Sequence, residues 1–255
     1  IMNADILLIG KLLDMERLAF YNLGKNFGEM VVTFITHMIH QAYLPALSTV
    51  SEDLLRITRI YRRTITFFIM ITVPVSMVIV LFSHDIIRLL YDPRYQAAHV
   101  SMYVLCLCGI FRTIGLVSGV TFIAVGKPVL ETISMAVGVV LIMVLIPVGA
   151  NIKGLFGGAA GAFGALFMVV VIESVYLWRS LKFPLLIVIR PWFQAGFLIG
   201  VIGLVYFLLK PWLTAPDLYN IPFAVLIGIV GLAVSAGVYR LLEGRHPFRD
   251  EGEGR

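Results

Sequence analysis

Residues 64–83 read TITFFIMITVPVSMVIVLFS, twenty consecutive positions without a charged side chain. A helix needs about 20 apolar residues to cross the hydrocarbon core of a bilayer, so this run predicts a membrane-spanning helix. Further apolar runs occupy about 18–47, 99–125, 132–150, 154–178, 191–209 and 218–239, and residues 1–10 look like the end of one more helix. The chain therefore reads as all-α, a polytopic transmembrane helical bundle of about seven full spans plus a partial one.

The composition agrees. Of the 255 residues, 60% are hydrophobic and 14% charged, and the mean hydropathy is +0.96. Soluble domains carry about 25% charged residues, so a soluble enzyme, a secreted disulfide scaffold and a disordered chain are all excluded. The net charge of +5 is spread over membrane-edge loops, which does not suggest nucleic acid as a partner. Cys106 and Cys108 lie two apart inside an apolar run and read as buried core cysteines. The longest polar stretches, near 48–63, 83–98 and the tail from 243, are too short to house a soluble catalytic domain. The chain has no HExxH, phosphate loop, GxSxG or EF-hand spacing, so no metal and no cofactor are expected. The opening Ile1-Met2 lacks the basic start of a signal peptide and suggests that the true start lies upstream.

Orientation follows from Lys and Arg. Twelve of the 20 collect on one side of the predicted spans, including Arg56, Arg59, Arg62, Arg63, Lys127 and Arg179; six collect on the other, and Lys25 and Arg112 fall within spans. The richer side is expected to be cytoplasmic, with the C-terminus inside. Tyr91, Tyr95, Trp178, Trp192, Trp212 and Tyr219 are expected at the interfaces, and 83–98 is expected to lie along the external one.

The first full span carries a polar stripe at helical spacing: Asn22, Lys25, Asn26, Glu29, Thr33, Thr36, His37 and His40. Phe27, Met30, Val31, Phe34, Ile35 and Met38 form the opposite, apolar face. A polar face inside a bilayer lines something wet or packs on other polar helices. Lys25 and Glu29, four apart, can neutralise each other. Arg112 lies about 14 residues from either end of its own span. A charge at that depth costs about 2.5–3.5 kcal/mol unless it is met by a partner or water. Cys108, Gly115 and Gly119 share its face, so a neighbour can come close. Arg112 is therefore expected to face the same interior as Lys25 and Glu29, either as cavity lining or as a structural pair with Glu29. The candidate substrate-cavity residues are Asn22, Lys25, Glu29, Thr33, His40 and Arg112, with no catalytic set. Glu173, six residues before Arg179, is expected to snorkel to the membrane edge, and Glu131 is expected to be an edge residue. Gly154/Gly158 and Gly157/Gly161 are spaced for close helix packing.

The order of motifs resembles one family. ADILLIGKLLDMERLAFYNLGKNFGE (4–29), AYLPALSTVSED (42–53), HDIIRLLYDPRYQAA (84–98) and GVTFIAVGKP (119–128) are similar, in sequence and spacing, to the signature segments of polysaccharide flippases. These form the oligosaccharide flippase branch of the multidrug/oligosaccharidyl-lipid/polysaccharide exporter superfamily, and the likeness is greatest to its colanic-acid-exporter-like lipopolysaccharide biosynthesis group. Asp14, Ala19, Asp92-Pro93 and Tyr95 depart from the usual glycines and tryptophan at loop or interface positions. The resemblance implies the C-terminal half of a two-lobed exporter fold. Residues 1–182 would be a six-helix lobe with its first helix truncated, and 183–255 a terminal helix pair with a cytoplasmic tail. It further implies a flippase without bond-making chemistry in the cytoplasmic membrane. Its implied partners are membrane lipid, a polyprenyl-pyrophosphate-linked glycan and the missing N-terminal lobe. Lys25 and Arg112 suit the pyrophosphate in type. One alternative is a multidrug/cation antiporter with Glu29 or Asp5 as the ion-coupling carboxylate. Another is a membrane-embedded enzyme acting on prenyl-linked sugars through His84, Asp85, Asp92 or His99.

Overall fold

The computed structural model describes residues 4–50, 53–209 and 220–243, and every regular element among them is helical. A short α1 (Ala4–Leu12) ends before Asp14, whose extended backbone opens α2 (Met15–Met38). A π-helical turn (Ile39–Tyr43) follows, then α3 (Leu44–Ser48) with Pro45 in its first turn. Proline has no N–H for the usual bond four residues back, so the ladder widens just before it. Asp53 starts α4 (Leu54–Leu81) by accepting the backbone N–H groups of Leu55 and Arg56 at 3.0 Å, the ordinary N-cap arrangement. The amphipathic 83–98 stretch forms α5 (Ser83–Leu90) and a 3-10 turn (Pro93–Ala97), each too short to span a bilayer. Then come α6 (Ala98–Ala124), α7 (Pro128–Ser180), α8 (Leu185–Leu209) and α9 (Asn220–Glu243).

The 53 residues of α7 are a hairpin. Lys153 and Gly154 leave helical geometry, and Gly154 takes φ 56° and ψ −132°. Beyond this turn Gly157 lies against Gly149 and Gly161 against the Leu145 carbonyl, so the two halves run antiparallel in backbone contact. Two of the four glycines in the predicted packing pairs serve this seam, Gly158 abuts Ile9 of α1, and Gly154 makes the turn itself. A Cβ is strained at that φ, so Gly154→Ala is expected to cost about 1–3 kcal/mol. A measurable fall in melting temperature checks this, and an unchanged one refutes it.

Helix α6 is the hub, packed on α2, α4 and α7, while α8 and α9 dock on α4. The α2–α6 contact is parallel and glycine-lined. Gly24 meets Ser101 and Met102, Gly28 meets Leu105 and Cys106, and Gly109 returns the contact to the Gly28 carbonyl. Small residues allow this approach where the bilayer offers no hydrophobic drive between helices. A set of hydroxyl pairs stitches α6 to its other neighbours. Tyr43 lies 2.7 Å from Thr121, Tyr61 3.4 Å from Ser118, and Thr72 3.4 Å from Thr113. Each of these α6 hydroxyls donates its own proton to the carbonyl four residues back, so the partners on the other helices are the donors in these pairs.

Four helical stretches are long and apolar enough to cross a membrane by length and composition: Leu54–Leu81, Pro93–Ala124, Pro128–Ser180 and Leu185–Leu209. The chain is a multi-pass membrane protein. The start of the last predicted span, Trp212, Tyr219, Lys210 and the tail arginines lie outside the described residues, as do residues 1–3. On α2 the glycine face is buried with Val32 and Ile35, while Met30 and Phe34 are 69% and 61% exposed. Two expectations are corrected. Trp192 does not stand at an edge; it packs on Phe111, at the middle of α6, and on Phe167, with ring centroids 5.6 and 5.4 Å away. Glu173 does not snorkel; it is 3% exposed and points at Gly115 of α6.

Candidate functional site

The candidate site is a chain of charges where α1, α2 and α6 meet. Lys25 on α2 donates from Nζ to Asp5 Oδ1 on α1 at 2.8 Å, and Tyr21, one turn earlier on α2, donates to Asp5 Oδ2 at 3.0 Å. The same ammonium lies 3.8 Å from Glu29 Oε1, and Arg112 Nη1 on α6 donates to that oxygen at 2.6 Å. The order Asp5, Lys25, Glu29, Arg112 alternates sign and sums to zero, which offsets the cost of placing four charges within a bilayer. Charge-assisted bonds of this kind are the strong ones.

Local sequence explains the geometry. Tyr21, Lys25 and Glu29 are successive turns of one helix face. Glycines 24 and 28 beside them bring α2 so close to α6 that Arg112 reaches Glu29. Because α2 and α6 run parallel, charges at comparable positions meet at comparable depth.

The chain borders a cavity of about 60 Å³, also lined by Leu105, Cys108, Ile142, Ala162 and Leu166. That volume holds a few waters. Burial is graded along the chain. The side chains of Lys25 and Asp5 are 9% and 11% exposed, whereas those of Arg112 and Glu29 are 25% and 26% exposed. The accessible end of the site is therefore the Arg112–Glu29 end, and Asp5 and Lys25 form its closed floor.

Of the sequence candidates, Lys25, Glu29 and Arg112 come together. Asn22, Thr33 and His40 are exposed and lie outside the cavity wall. The Thr33 hydroxyl donates to the Glu29 carbonyl at 2.9 Å, and His40 sits in the π-helical turn. The sequence offers Asp5 only as an ion-coupling carboxylate, not as the partner of Lys25, and does not single out Tyr21. Asp5 lies 20 positions from Lys25, and nothing in local spacing joins them. On the α5 side, His84 lies 3.9 Å from Asp85 and its ring 5.8 Å from that of His99, while Asp92 caps the 3-10 turn. Cys106 and Cys108 are buried free thiols, and among the described residues no group of three His, Cys, Asp or Glu side chains is placed to hold a metal.

Residues 1–100 match the model of a family described as polysaccharide biosynthesis protein. The amylovoran biosynthesis protein AmsL of Erwinia amylovora is 24% identical over 144 residues, which is 56% of this chain and 37% of AmsL. Lipid II flippase MurJ, in its inward closed conformation, superposes with a TM-score of 0.66 at 16% identity, over 90% of this chain and 48% of MurJ. The chain thus spans about half of MurJ and less of AmsL. The fold is MurJ-like and all-helical, and the likeness to polysaccharide exporters carried by the sequence motifs is borne out.

Proposed function

We propose that this chain is one lobe and the terminal helix pair, residues 1–182 and 183–255, of a flippase in the cytoplasmic membrane with its C-terminus inside. The flippase moves a lipid-linked glycan precursor across that membrane by alternating access. The observation that carries this reading is the Arg112–Glu29 pair at the accessible end of a charge chain within an apolar bundle. An anionic pyrophosphate arriving there replaces the Glu29 carboxylate on the Arg112 guanidinium, whose planar fork suits phosphate oxygens. Lys25, already shared between Asp5 and Glu29, turns toward the same anion. Exchanging one anionic partner for another keeps the desolvation cost low, which a site that must bind and then release requires. Asn22, Thr33 and His40, on the exposed stripe of α2, would line the path of the polar glycan toward the other lobe.

The family match and the fold point to a transporter and not to an enzyme. The antiporter reading needs Asp5 or Glu29 free to take an ion, and each is already held by a cation at 2.8 and 2.6 Å. The test is Arg112→Ala in the full-length protein, scored by surface polysaccharide in a strain lacking the native gene. Export is expected to fall at least about tenfold, the worth of one lost charge-assisted contact, with protein abundance near normal. Full export at normal abundance sinks the role of Arg112.

A further inference from the structure

A second set of buried charges lies one turn further along α6. Gly115 and Gly119 form a notch on the helix, and both halves of the α7 hairpin send a carboxylate into it. A Cβ built at Gly115 would lie 3.2 Å from Glu173 Oε2, and one at Gly119 would lie 2.5 Å from Glu131 Oε2. The glycines are four residues apart, about 6 Å on a helix face, so the two carboxylates enter one notch. Glu173 is 3% exposed. Glu131 is half-buried, with its Oε2 enclosed. Neither Oε2 has a hydrogen-bond partner.

Among the described residues, no ion pair joins a cation to either glutamate. From α4, the Tyr61 hydroxyl is taken up with Ser118 at 3.4 Å. Arg62, next to it in sequence, is engaged in an interaction of its own. Helix α6 presents Gly115, Ser118 and Gly119, none of them charged. On α7 and its cap, Lys127 donates to the Ser180 carbonyl at 2.9 Å, and Arg179 lies over the Trp178 ring. Two carboxylates side by side in a desolvated notch cannot both stay ionised, as like charges and burial both penalise the second charge.

We infer that Glu131 and Glu173 form a proton-binding site, in which Glu173 is held as the neutral acid against α6 and Glu131 is the neighbour that opposes its ionisation. Proton loss from the Glu173 carboxyl to water leaves two repelling carboxylates in one notch, and α7 must separate from α6 to hydrate them. Arg112 is three residues from Gly115 on the same helix, about 4.5 Å along its axis. The protonation state of Glu173 thus bears on the helix that presents Arg112. Proton binding stands apart from the proposed flippase activity; its coupling to substrate movement rests on that reading.

Infrared titration of the full-length protein in lipid nanodiscs tests the site. The wild type is expected to keep a protonated-carboxyl carbonyl band at neutral pH. That band should be lost in Glu173→Gln, which mimics the neutral acid and leaves the fold intact by melting temperature. In Glu131→Gln the band should titrate away at lower pH, because the opposing charge is gone. An undiminished band in Glu173→Gln overturns the site. So does a wild type without the band whose melting temperature rises with sodium in a Glu173-dependent way, since the notch would then hold a metal cation. A Glu173→Gln protein that lacks the band yet exports glycan normally at every pH overturns the coupling while supporting the site.

Discussion

Asp5→Ala is expected to destabilise the protein by about 3–5 kcal/mol, because it leaves the Lys25 ammonium in a desolvated pocket with its shorter ion pair gone. The side chains of both partners are about nine-tenths buried. Glu29 lies 3.8 Å from Lys25 and already serves Arg112 at 2.6 Å, so it cannot replace the 2.8 Å contact without giving up the other. Tyr21 would lose the acceptor of its hydroxyl at the same time. Total stabilities of domains are only about 5–15 kcal/mol, so the single variant should accumulate poorly and melt well below the wild type. Adding Lys25→Met should recover a large part of the loss, because removing both members of a buried pair costs less than removing one. A single variant that melts with the wild type, or a double variant worse than the single, would refute the account of the floor of the site.

Gly28→Leu should be the most damaging substitution at the α2–α6 contact. A Cβ there would lie 2.5 Å from the Leu105 carbonyl oxygen and 2.9 Å from its carbon. Both atoms are backbone, which cannot swing aside as a flexible side chain would. The helices must part, and the loss should exceed the ~1–3 kcal/mol of ordinary overpacking. The separation also pulls Glu29 from Arg112, which a cross-helix cysteine pair or a distance probe across α2 and α6 would register. Gly196→Ala is the matched control, since nothing lies within 4 Å of a Cβ at that position. If Gly28→Leu behaves like the control, the α2–α6 seam is not as described.

Both outcomes rest on contacts that were illegible in the chain, and the reason is physical. Gly24 and Gly28 stand in the sequence beside the polar stripe of α2, but their spacing does not say which helix they meet. Which glycine face meets which helix depends on the rotational phase of each helix, and α2 takes the phase that buries Gly28 and exposes Met30 and Phe34. Glu173 shows the same gap. Counting to Arg179 made it an edge residue, whereas the α7 hairpin turns it into the notch at Gly115. The meeting of Glu29 and Arg112 was open to sequence reasoning, because both are deep in helices that run the same way. Asp5 was not, since its partner lies across a helix boundary.

What the sequence determined by itself was the local solvent of each segment. A run such as 64–83 must be helical and in lipid, because twenty uncharged, mostly apolar residues can satisfy their backbone hydrogen bonds there only within the helix. A hairpin was also foreseeable where the apolar runs break between 150 and 154, and the turn falls at Lys153–Gly154. The tertiary structure alone decided which charges meet. It placed Asp5 under Lys25, and it set the Glu131 and Glu173 carboxylates against two glycines of α6. Hydrophobic burial in a bilayer is read residue by residue along the chain, but an ion pair depends on where two separate helices come to rest against each other.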